Sequence, residues 1–575
     1  MKKLIPLLSL AATAFAVQAA PVSPDEALTR ALGNSPQTMR APGAGYSLLN
    51  TRKAGGHDAL YLFESRSGSG FIIAPADDSL PAVLGYGTSE LCDETGNFAP
   101  AFEYWLDELA RQVEYAGSHP EAVARRSERP VREPIEPLCQ TRWNQSTPYN
   151  NLCPMLNGSR SVTGCAATSM AQVMKYHNWP DTGEGSNQYE WQGQILSMDY
   201  SAQEFKWDLM LNDYPPVFDG YTLKIDATDE QQQAVAQLMV AAGHSIEMGY
   251  SPEASGAISM RIGPALGKYF RYDKSLRFLK RDHYPLDEWE DIIYTSLQND
   301  GPVIYDGQAN IGGHSFVCDG YISDGYFHFN WGWGGMSDGY FLLDALDPIN
   351  QGIGGADSGF NYMQDIIVNI RPDRTGTSEW STTLVCNGAL DASYTRKTNI
   401  VRISSMIYNA GPGDIAEGLI GLCFTSRTEP DTEPSFKVEA FEGLGVMYGF
   451  LSLEFELPEL PDGQYDMTTV YTTSTDDDAE ILNPLFPYGK TSSYSFQITS
   501  GRVLDFLPTE DFVNLSVAEI TDDAPAADER SSKCEYINLQ GITTAVKEAG
   551  EPRPDLPAGT YIVKTGTSAF RIAVR

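Results

Sequence analysis

The sequence predicts an α+β protein of several domains, in which two regions of mixed helix and strand are followed by β-sandwich-type domains. Apolar residues recur at helical spacing from Phe102 to Val113, after strand-like runs at Ala59–Glu64 and Gly70–Ala74. A central region begins with helical patterns and ends in strands. From about residue 373 to 500 the chain alternates polar and apolar residues between turn residues, which is typical of a β-sandwich. The length of 575 residues corresponds to roughly three to five domains.

Residues 1–19 are predicted to be a signal peptide. Lys2 and Lys3 precede a short apolar run from Leu4 to Ala16, and Val17-Gln18-Ala19 supplies the small residues of a cleavage site. The apolar run is too short to span a bilayer, and no later stretch approaches about 18 consecutive apolar residues. The sequence therefore predicts export through the periplasm to the medium or the cell surface, with no transmembrane segment.

The charge balance excludes one class of partner. Lysine and arginine number 40 against 76 acidic residues, so the net charge is −36. Such a chain repels a phosphate backbone, and nucleic acid is not an expected partner. No phosphate-binding glycine loop or zinc-spaced Cys/His cluster occurs, so neither a cofactor nor a metal is predicted. The run Asp476-Asp477-Asp478 could hold calcium, although such a run is more often a solvated loop.

Residues 20–117 are predicted to form a compact unit of their own. Its first helix should begin after Ser23 as the N-cap, with Pro24 at the first helical position, and it should end at Gly33. Residues 118–137 then combine four prolines with four arginines: Pro120, Pro130, Pro134, Pro137, Arg125, Arg126, Arg129 and Arg132. Exposed segments of this kind are cut by proteases, so we interpret it as a linker cleaved during maturation. An ordinary hinge between domains is the alternative.

The rest of the chain divides into three parts. Residues 138–372 form the central unit, residues 373–505 a β-sandwich domain, and residues 506–575 a linker with a small β domain at the end. The polar stretch of that linker is residues 521–530. The late strands of the central unit are predicted at Val303–Tyr305, Ser315–Tyr321, Tyr326–Trp331 and Gly339–Leu343.

Cys165 is the strongest candidate for a reactive side chain. Gly164 lets the backbone turn into a helix whose apolar face carries Ala166, Met170, Val173, Met174 and His177. Unpaired N–H groups at a helix start favour an anion and lower the pKa of a thiol there. A thiolate is a nucleophile able to attack a peptide carbonyl. The competing interpretation is a buried structural cysteine, which is the usual role of a lone Cys.

His314 is the candidate base for that thiol. It begins an apolar strand 149 residues after Cys165, within the separation found in papain-type enzymes. Gly312 and Gly313 keep side chains away from the imidazole and leave room for a substrate backbone, so they are predicted to bind substrate together with Gly164. The other six histidines lie in polar loops or in structural positions: His57, His119, His177, His244, His283 and His328.

Three further residues complete the candidate site. The amide oxygen of Asn330 could accept the imidazole N–H and fix its tautomer. Trp331 could shield that hydrogen bond from water. Gln145 could donate to an oxyanion beside the backbone N–H of Cys165. Each has an ordinary alternative, since Asn330 and Trp331 fit a tight turn with a core tryptophan and Gln145 alone would be a surface residue.

Eight cysteines are sparse and irregularly spaced, unlike a disulfide scaffold: Cys92, Cys139, Cys153, Cys165, Cys318, Cys386, Cys423 and Cys534. If Cys165 is a free thiol, at least one other must also be unpaired. Pairs such as Cys139–Cys153 or Cys386–Cys423 remain open alternatives.

Taken together, these motifs resemble the streptopain family of bacterial cysteine peptidases. The matching segments are Thr163-Gly164-Cys165, Met174 to Asn178, Gly313-His314, Asn330 to Gly335, Trp143-Asn144-Gln145, Pro148-Tyr149-Asn150, Ser337-Asp338-Gly339, Leu343 to Leu346 and the glycine-rich Gly352–Phe360 loop. The resemblance covers residues 140 to 372, and residues 22 to 115 more loosely. In addition, Tyr536–Gly541 and Leu556–Val563 resemble the C-terminal sorting domain of type IX secretion, which implies secretion machinery as a partner.

The resemblance implies a papain-like fold for residues 138–372 and a secreted endopeptidase made as a zymogen. It gives Cys165 and His314 the catalytic dyad, Gln145 the oxyanion hole, and Asn330 with Trp331 the orientation of the histidine. Its substrates would be proteins or peptides with a hydrophobic residue two positions before the scissile bond, and the protein's own pro-domain would be the inhibitor.

Two other functional classes remain open. The same cysteine and histidine could transfer an acyl group to an amine instead of water. A surface-binding protein with an inert peptidase fold is the third class, although the complete set Cys165, His314, Gln145 and Asn330 argues against it. Hydrolysis of casein, amine incorporation and labelling of Cys165 by a thiol-directed epoxide distinguish the three.

Overall fold

The computed structural model describes residues 20–34, 45–67, 69–118, 130–219, 222–309, 312–344 and 364–512, and four strands between residues 533 and 574. The predicted signal peptide, Arg125, Arg126, Arg129 and the segments 352–360 and 521–530 lie outside the described residues. The chain divides into two compact units. The larger holds the described residues up to 423 with 435–458 and 468–492, and the smaller holds 424–434, 459–467 and the described residues from 493 onward.

The N-terminal region, here called the pro-segment (residues 20–118), contains two helices and four strands. They are α1 Pro24–Asn34, β1 Tyr46–Ala54, β2 His57–Ser65, β3 Phe71–Pro75, β4 Gly85–Gly87 and α2 Pro100–Ser118. The predicted start of α1 is confirmed, because the backbone N–H of Glu26 donates to Ser23 Oγ at 3.4 Å. The residue pattern does not predict β1, since its polar run from Asn50 to Lys53 lacks apolar alternation.

The apolar face predicted for α2 is its buried face. Phe102, Trp105, Leu106, Leu109 and Val113 are each at most 4% exposed and belong to one core cluster. That cluster also contains aromatic residues of the central region, and burial of each such side chain stabilises the fold by about 1.5–3 kcal/mol. The helix therefore joins the pro-segment to the central region through a common core.

The central region is a mixture of helices and strands, as predicted. Its helices are α3 Cys165–His177, α4 Asp229–Ser245, α5 Ile262–Tyr269 and α6 Leu286–Asn299. Three hairpins are built from β5 Met155–Leu156 and β6 Ser159–Arg160, β7 Ser186–Trp191 and β8 Gln194–Asp199, and β9 Pro216–Asp219 and β10 Thr222–Ile225. Six further strands of the central region belong to one large sheet: β11 Arg277–Lys280, β12 Val303–Ala309, β13 Gly312–Ile322, β14 Tyr326–Asn330, β15 Gly339–Leu342 and β16 Gln364–Val368. The four predicted late strands correspond to β12 to β15, within a few residues at each end.

One antiparallel sheet of ten strands runs through both regions, in the order β1-β2-β3-β4-β15-β14-β13-β12-β16-β11. The junction is the pairing of Tyr86 with Tyr340 and of Gly85 with Phe341. Gly85 is needed for this approach, because a Cβ atom there would lie 2.4 Å from the Phe341 ring. The pro-segment thus extends the sheet of the central region.

The region after residue 373 consists of strands and turns, with no helix among its described residues up to 512. The strands are β17 Leu384–Cys386, β18 Ala392–Thr395, β19 Ile400–Ile403, β20 Ile407–Asn409, β21 Ile415–Ser426, β22 Ser435–Leu444, β23 Gly449–Phe450, β24 Leu453–Glu456, β25 Gly463–Tyr471, β26 Ser493–Thr499 and β27 Arg502–Pro508. Their β character agrees with the sequence, while their arrangement as a sandwich stays a prediction. A final four-stranded sheet has the order β29-β28-β30-β31, with β28 Lys533–Asn538, β29 Thr543–Glu548, β30 Gly559–Thr565 and β31 Ser568–Val574.

The described half of the predicted linker, residues 130–137, is largely exposed, but one of its arginine side chains is buried. The Arg132 side chain is only 6% exposed, forms an ion pair with Asp291 and lies 3.7 Å from Glu290. Its guanidinium also lies 5.3 Å from the ring centroid of Tyr294. Residues 130–138 continue along the central region, where Ile135 forms a β-bridge with Tyr321. The contacts of its side chain make Arg132 a less accessible site for an arginine-specific protease than an exposed arginine, and cleavage within the linker stays a prediction.

Neither cysteine pair considered above is formed. Cys139, Cys153, Cys386 and Cys423 take part in no disulfide bond. The described residues contain no cluster of acidic, histidine and cysteine side chains suited to a metal ion. Among the helices described, none has the length and apolar character needed to cross a membrane.

Candidate active site

Cys165 is the first residue of α3, and Gly164 before it determines how the chain enters the helix. Gly164 has a φ of 87°, which is unfavourable for other residues. A Cβ atom at this position would also lie 2.7 Å from Cε of Met248. The Gly164 carbonyl accepts from the backbone N–H of Thr168 at 3.1 Å, which forms the first turn. A side chain at position 164 would therefore displace the thiol.

Helix α3 presents Cys165 to strand β13. Its apolar face is buried, with Met170, Val173 and Met174 fully enclosed. Ser169 Oγ and Ser315 Oγ are 2.7 Å apart, which connects the helix to the strand. The backbone N–H of Ser315 donates a hydrogen bond to the Cys165 thiol. This contact brings the thiol next to the residue before Ser315 in the chain, which is His314.

His314 lies near the start of β13, directly opposite Gly307 on β12. Its side chain is partly buried. Gly313 and Gly312 pair with Gln308 and Ala309 of β12, so the predicted glycines form the strand that leads to the histidine. The structure thus places His314, Gly312 and Gly313 in one stretch of strand beside the start of α3.

Gln145 is placed beside the same helix start by the backbone. Its carbonyl accepts from the N–H of Thr163 at 3.1 Å, two residues before Cys165. The preceding Trp143 carbonyl accepts from the N–H of Gly334 at 3.0 Å. The segment around Gln145 therefore joins the Cys165 turn to the loop after β14, and the role of its side chain as an oxyanion donor stays a prediction.

The predicted partner of Asn330 is wrong in this structure. Its amide oxygen accepts from Gln172 Nε2 at 3.1 Å and from the Gly332 N–H at 3.0 Å. Its amide nitrogen donates to the Thr141 carbonyl at 2.7 Å. Both acceptor positions of the oxygen are thus taken, and the buried amide fixes the turn after β14 instead of the imidazole.

Trp331 is fully buried in the common core. Its indole N–H donates to the Ser337 carbonyl at 2.9 Å. Its described ring contacts are with aromatic residues, including Phe316 at 4.6 Å and Phe102 of α2 at 5.4 Å between centroids. These contacts give Trp331 a packing role against the pro-segment, and its predicted shielding of His314 stays a prediction.

Comparison with known proteins identifies the region that carries this geometry. Residues 143–341 match the Peptidase C10 family, and residues 19–113 match the Spi protease inhibitor family. Streptopain of Streptococcus pyogenes serotype M28 is 33% identical over 333 residues, which are 54% of this chain and 81% of streptopain. The chain belongs to the Peptidase C10 family.

Two other proteins have similar sequences or structures. The thiol protease/hemagglutinin PrtT of Porphyromonas gingivalis is 32% identical over 329 residues, which cover 54% of this chain and 37% of PrtT. A prointerpain A fragment of Prevotella intermedia matches with a TM-score of 0.50 and 28% identity, covering 58% of this chain and all of that fragment. This C10 chain is therefore a cysteine protease, a hydrolase, that carries an inhibitor-type pro-segment.

The inhibitor-type pro-segment lies directly against His314, the candidate base. The Tyr104 ring of α2 is 6.4 Å from the His314 ring, centroid to centroid. It also packs on Gly307, where an added Cβ would be 2.5 Å from Tyr104 Cε1. Tyr104 is only 8% exposed. It thus fills the space over His314 that Gly307, lacking a side chain, leaves open.

The pKa shifts of Cys165 and His314 differ from the sequence-based prediction of a lowered thiol pKa. Burial raises the pKa of Cys165, and this outweighs the N–H donors of Ser315 and the helix start. Burial also lowers the pKa of His314. Both shifts favour the neutral thiol and the neutral imidazole. In this form of the chain, formation of the thiolate–imidazolium pair is therefore less favourable than it would be in water.

Three residues near Cys165 and His314 are missed by reasoning from the sequence. Tyr104 is off the apolar face of α2, so helical periodicity does not single it out. Ser315 is predicted only as the first residue of a strand, and Asp306 lies just beyond the predicted run Val303–Tyr305. The strand register could have indicated the last two, since a strand that carries His314 opposite Gly307 must place Ser315 opposite Asp306.

Replacing Gln145 tests its predicted role. Gln145→Ala is expected to lower the turnover number by about 100- to 1,000-fold with little change in KM, because one oxyanion donor acts mainly in the transition state. The measurement is steady-state hydrolysis of a peptide substrate by the processed enzyme. Gln140→Ala, an exposed glutamine on the same segment, is the matched control. An unchanged turnover number for Gln145→Ala would assign the donor elsewhere.

Proposed function

We propose that this chain is the exported zymogen of a cysteine endopeptidase, with Cys165 as nucleophile, His314 as general base and Gln145 as oxyanion donor. The observation that carries the proposal is the contact between the Ser315 N–H and the Cys165 thiol at the start of α3, one residue from His314. The match to the C10 family supports the same assignment. Gly164, Gly312 and Gly313 would leave the space in which the substrate backbone binds.

The proposed reaction uses only residues of this site. The Cys165 thiol gives its proton to His314, and the thiolate forms a C–S bond with the scissile carbonyl carbon. Gln145 and the Cys165 N–H donate to the resulting oxyanion. The His314 imidazolium then protonates the departing amine as the C–N bond breaks. A water molecule, deprotonated by His314, attacks the thioester and releases the acid and the free thiol.

The pro-segment would inhibit this reaction. Tyr104 occupies the space above His314, so a substrate could not reach the dyad. Burial in this closed form also raises the pKa of the Cys165 thiol, which opposes thiolate formation. The match of residues 19–113 to a protease inhibitor family supports this role.

Hydrolysis and acyl transfer are distinguished by one assay. The processed chain is incubated with casein in the presence of a labelled primary amine, with and without a thiol-directed epoxide. We expect new peptide termini, no labelled casein, and complete loss of activity once the epoxide has modified Cys165. Incorporation of the amine without cleavage would favour the acyl-transfer alternative, and inertness towards both would favour a binding protein.

We also propose that residues 1–19 direct export and that the C-terminal strands mediate sorting to the outside. The sequence patterns described above are the support for this step. The N-terminus of the secreted chain should then begin at Ala20 before the pro-segment is removed. Intact residues 1–19 on secreted protein would contradict the proposal.

A further inference from the structure

A row of polar side chains crosses the sheet behind the catalytic cysteine. Ser315 on β13, Asp306 on β12, Asp365 on β16 and Lys280 on β11 are direct partners in the registers of four consecutive strands. Directly opposed residues of antiparallel strands project from the same face of the sheet with their Cβ atoms about 5 Å apart. The four side chains therefore form one continuous line that ends at the Cys165 thiol.

Both ends of the row are anchored. At the active-site end, Ser315 contacts Ser169 of α3 through its hydroxyl and Cys165 through its backbone N–H. At the far end, Lys280 Nζ donates to Asn387 Oδ1 at 3.1 Å. The row thus has a cation at one end, the thiol at the other and two carboxyl groups between them.

The two carboxyl groups of the row are buried. Asp306 and Asp365 are 4% and 3% exposed. Asp306 accepts from the Ser315 side chain, but its Oδ2 atom has no hydrogen-bond partner, and neither has Oδ1 of Asp365. Two buried neighbouring carboxylates repel each other strongly, so such a pair retains a proton that a solvated pair would lose. An unpartnered oxygen on each residue is what a shared proton requires.

The surroundings of Asp306 and Asp365 also favour retention of a proton by the pair. Burial, together with the charge of Asp365, raises the pKa of Asp306 to about 8. Burial likewise raises the pKa of Asp365 to about 7, against the opposing effect of Lys280. The titratable and charged groups around the pair are Cys165 on α3, Lys280 on β11, Asp282 after β11, Tyr408 on β20 and Tyr104 on α2. Of these, only Lys280 is a cation, and it adjoins Asp365.

We propose that Asp306 is a positioning residue for Cys165, which it holds through Ser315 and whose thiolate it destabilises once the Asp306–Asp365 pair loses its shared proton. The proposal rests on the assignment of Cys165 as the nucleophile. While the pair is protonated, Asp306 fixes Ser315 so that its N–H is directed at the sulfur. When the pair ionises, the negative charge near the sulfur opposes thiolate formation. Ionisation of the Asp306–Asp365 pair therefore limits the reactivity of Cys165 at alkaline pH.

Two isosteric variants should change the alkylation rate of Cys165 in opposite directions. Asp306→Asn still accepts from Ser315 but cannot ionise, so the midpoint of Cys165 alkylation should fall by about one pH unit, which is about tenfold in rate below the midpoint. Asp365→Asn leaves Asp306 without a neighbouring carboxylate, so Asp306 ionises at lower pH and alkylation of Cys165 at neutral pH should become slower. A purely structural role of these residues would not produce opposite signs.

The experiment measures iodoacetamide modification of Cys165 in the full chain by mass spectrometry between pH 6 and 11. Cys92, a half-buried thiol of the pro-segment, is the internal reference in each sample. Asp319→Asn is the matched control, because this buried carboxyl on β13 is paired with His328 at 2.6 Å and does not belong to the row. Thermal unfolding of every variant verifies the fold.

Identical alkylation profiles for Asp306→Asn and the unchanged chain would overturn the proposal, and so would shifts of the same sign in both isosteric variants. If Asp306→Asn fails to fold, Asp365→Asn alone decides, since its alkylation must be slower at neutral pH. The readout is independent of hydrolysis. A chain that shows these shifts but cleaves no protein would refute the proposed function and leave the positioning role intact.

Discussion

Cys165→Ala is expected to abolish peptide-bond hydrolysis, with a loss of about 10⁴-fold or more in turnover. The sulfur is the only atom at the start of α3 able to form the acyl-enzyme, and alanine fits the same helical position without strain. His314→Ala should have a similarly large effect, because no base would then remain to activate the thiol or protonate the leaving amine. The measurement is casein hydrolysis by processed enzyme, with unfolding curves for each variant.

Matched variants separate chemistry from stability. Cys423→Ala removes a partly exposed free thiol of the β-rich region and should leave turnover unchanged. His177 lies at the end of the nucleophile's own helix, and burial lowers its pKa to about 4. His177→Ala should therefore reduce the free energy of unfolding more than the turnover number. Substantial hydrolysis by Cys165→Ala would refute the assignment of the nucleophile.

The uncut precursor is expected to be nearly inactive and to gain activity when residues 119–129 are cleaved. A tethered inhibitor acts at high effective concentration, so even moderate contacts would keep the site closed. Arg125, Arg126 and Arg129 offer cleavage sites in this stretch, whereas Arg132 is held by Asp291 and Tyr294. An arginine-specific protease should therefore leave Arg132 on the mature enzyme, which N-terminal sequencing would reveal.

Tyr104 supplies a specific test of this latency. Added in trans to mature enzyme, a pro-segment with Tyr104→Ala should inhibit about 10- to 100-fold less well, because it loses the buried ring over His314. Tyr104→Phe keeps the ring and should inhibit like the unchanged segment. Equal specific activity of uncut and processed chains, measured before any self-cleavage, would eliminate the zymogen interpretation.

Much of the site follows from local sequence because local interactions determine it. Ser23 and Pro24 define a helix start by their own hydrogen bonds and geometry. Gly164 before an amphipathic run predicts the turn that exposes Cys165, and two glycines before His314 predict an open strand. In each case the chemistry depends on residues within one turn or one strand of each other.

The remaining features depend on contacts between distant segments. Three-residue strand β4 carries no periodicity, so its pairing with β15 cannot be predicted from residues 85–87. The residue type of Asn330 suits a hydrogen bond to a histidine, but in the fold its amide oxygen accepts from Gln172 and Gly332 instead. By its sequence context Arg132 resembles a protease cleavage site. In the fold its guanidinium contacts Asp291 and Tyr294, which are distant in the chain.

The shared sheet has a consequence for how the enzyme would be released. A cut between residues 118 and 130 breaks one covalent connection but leaves β4 paired with β15 and α2 packed on Trp331. From that moment inhibitor and enzyme are two molecules in equilibrium, and mass action governs their separation. A cleaved enzyme at high concentration near its source would therefore remain inhibited. It would become active as dilution allows the pro-segment to dissociate.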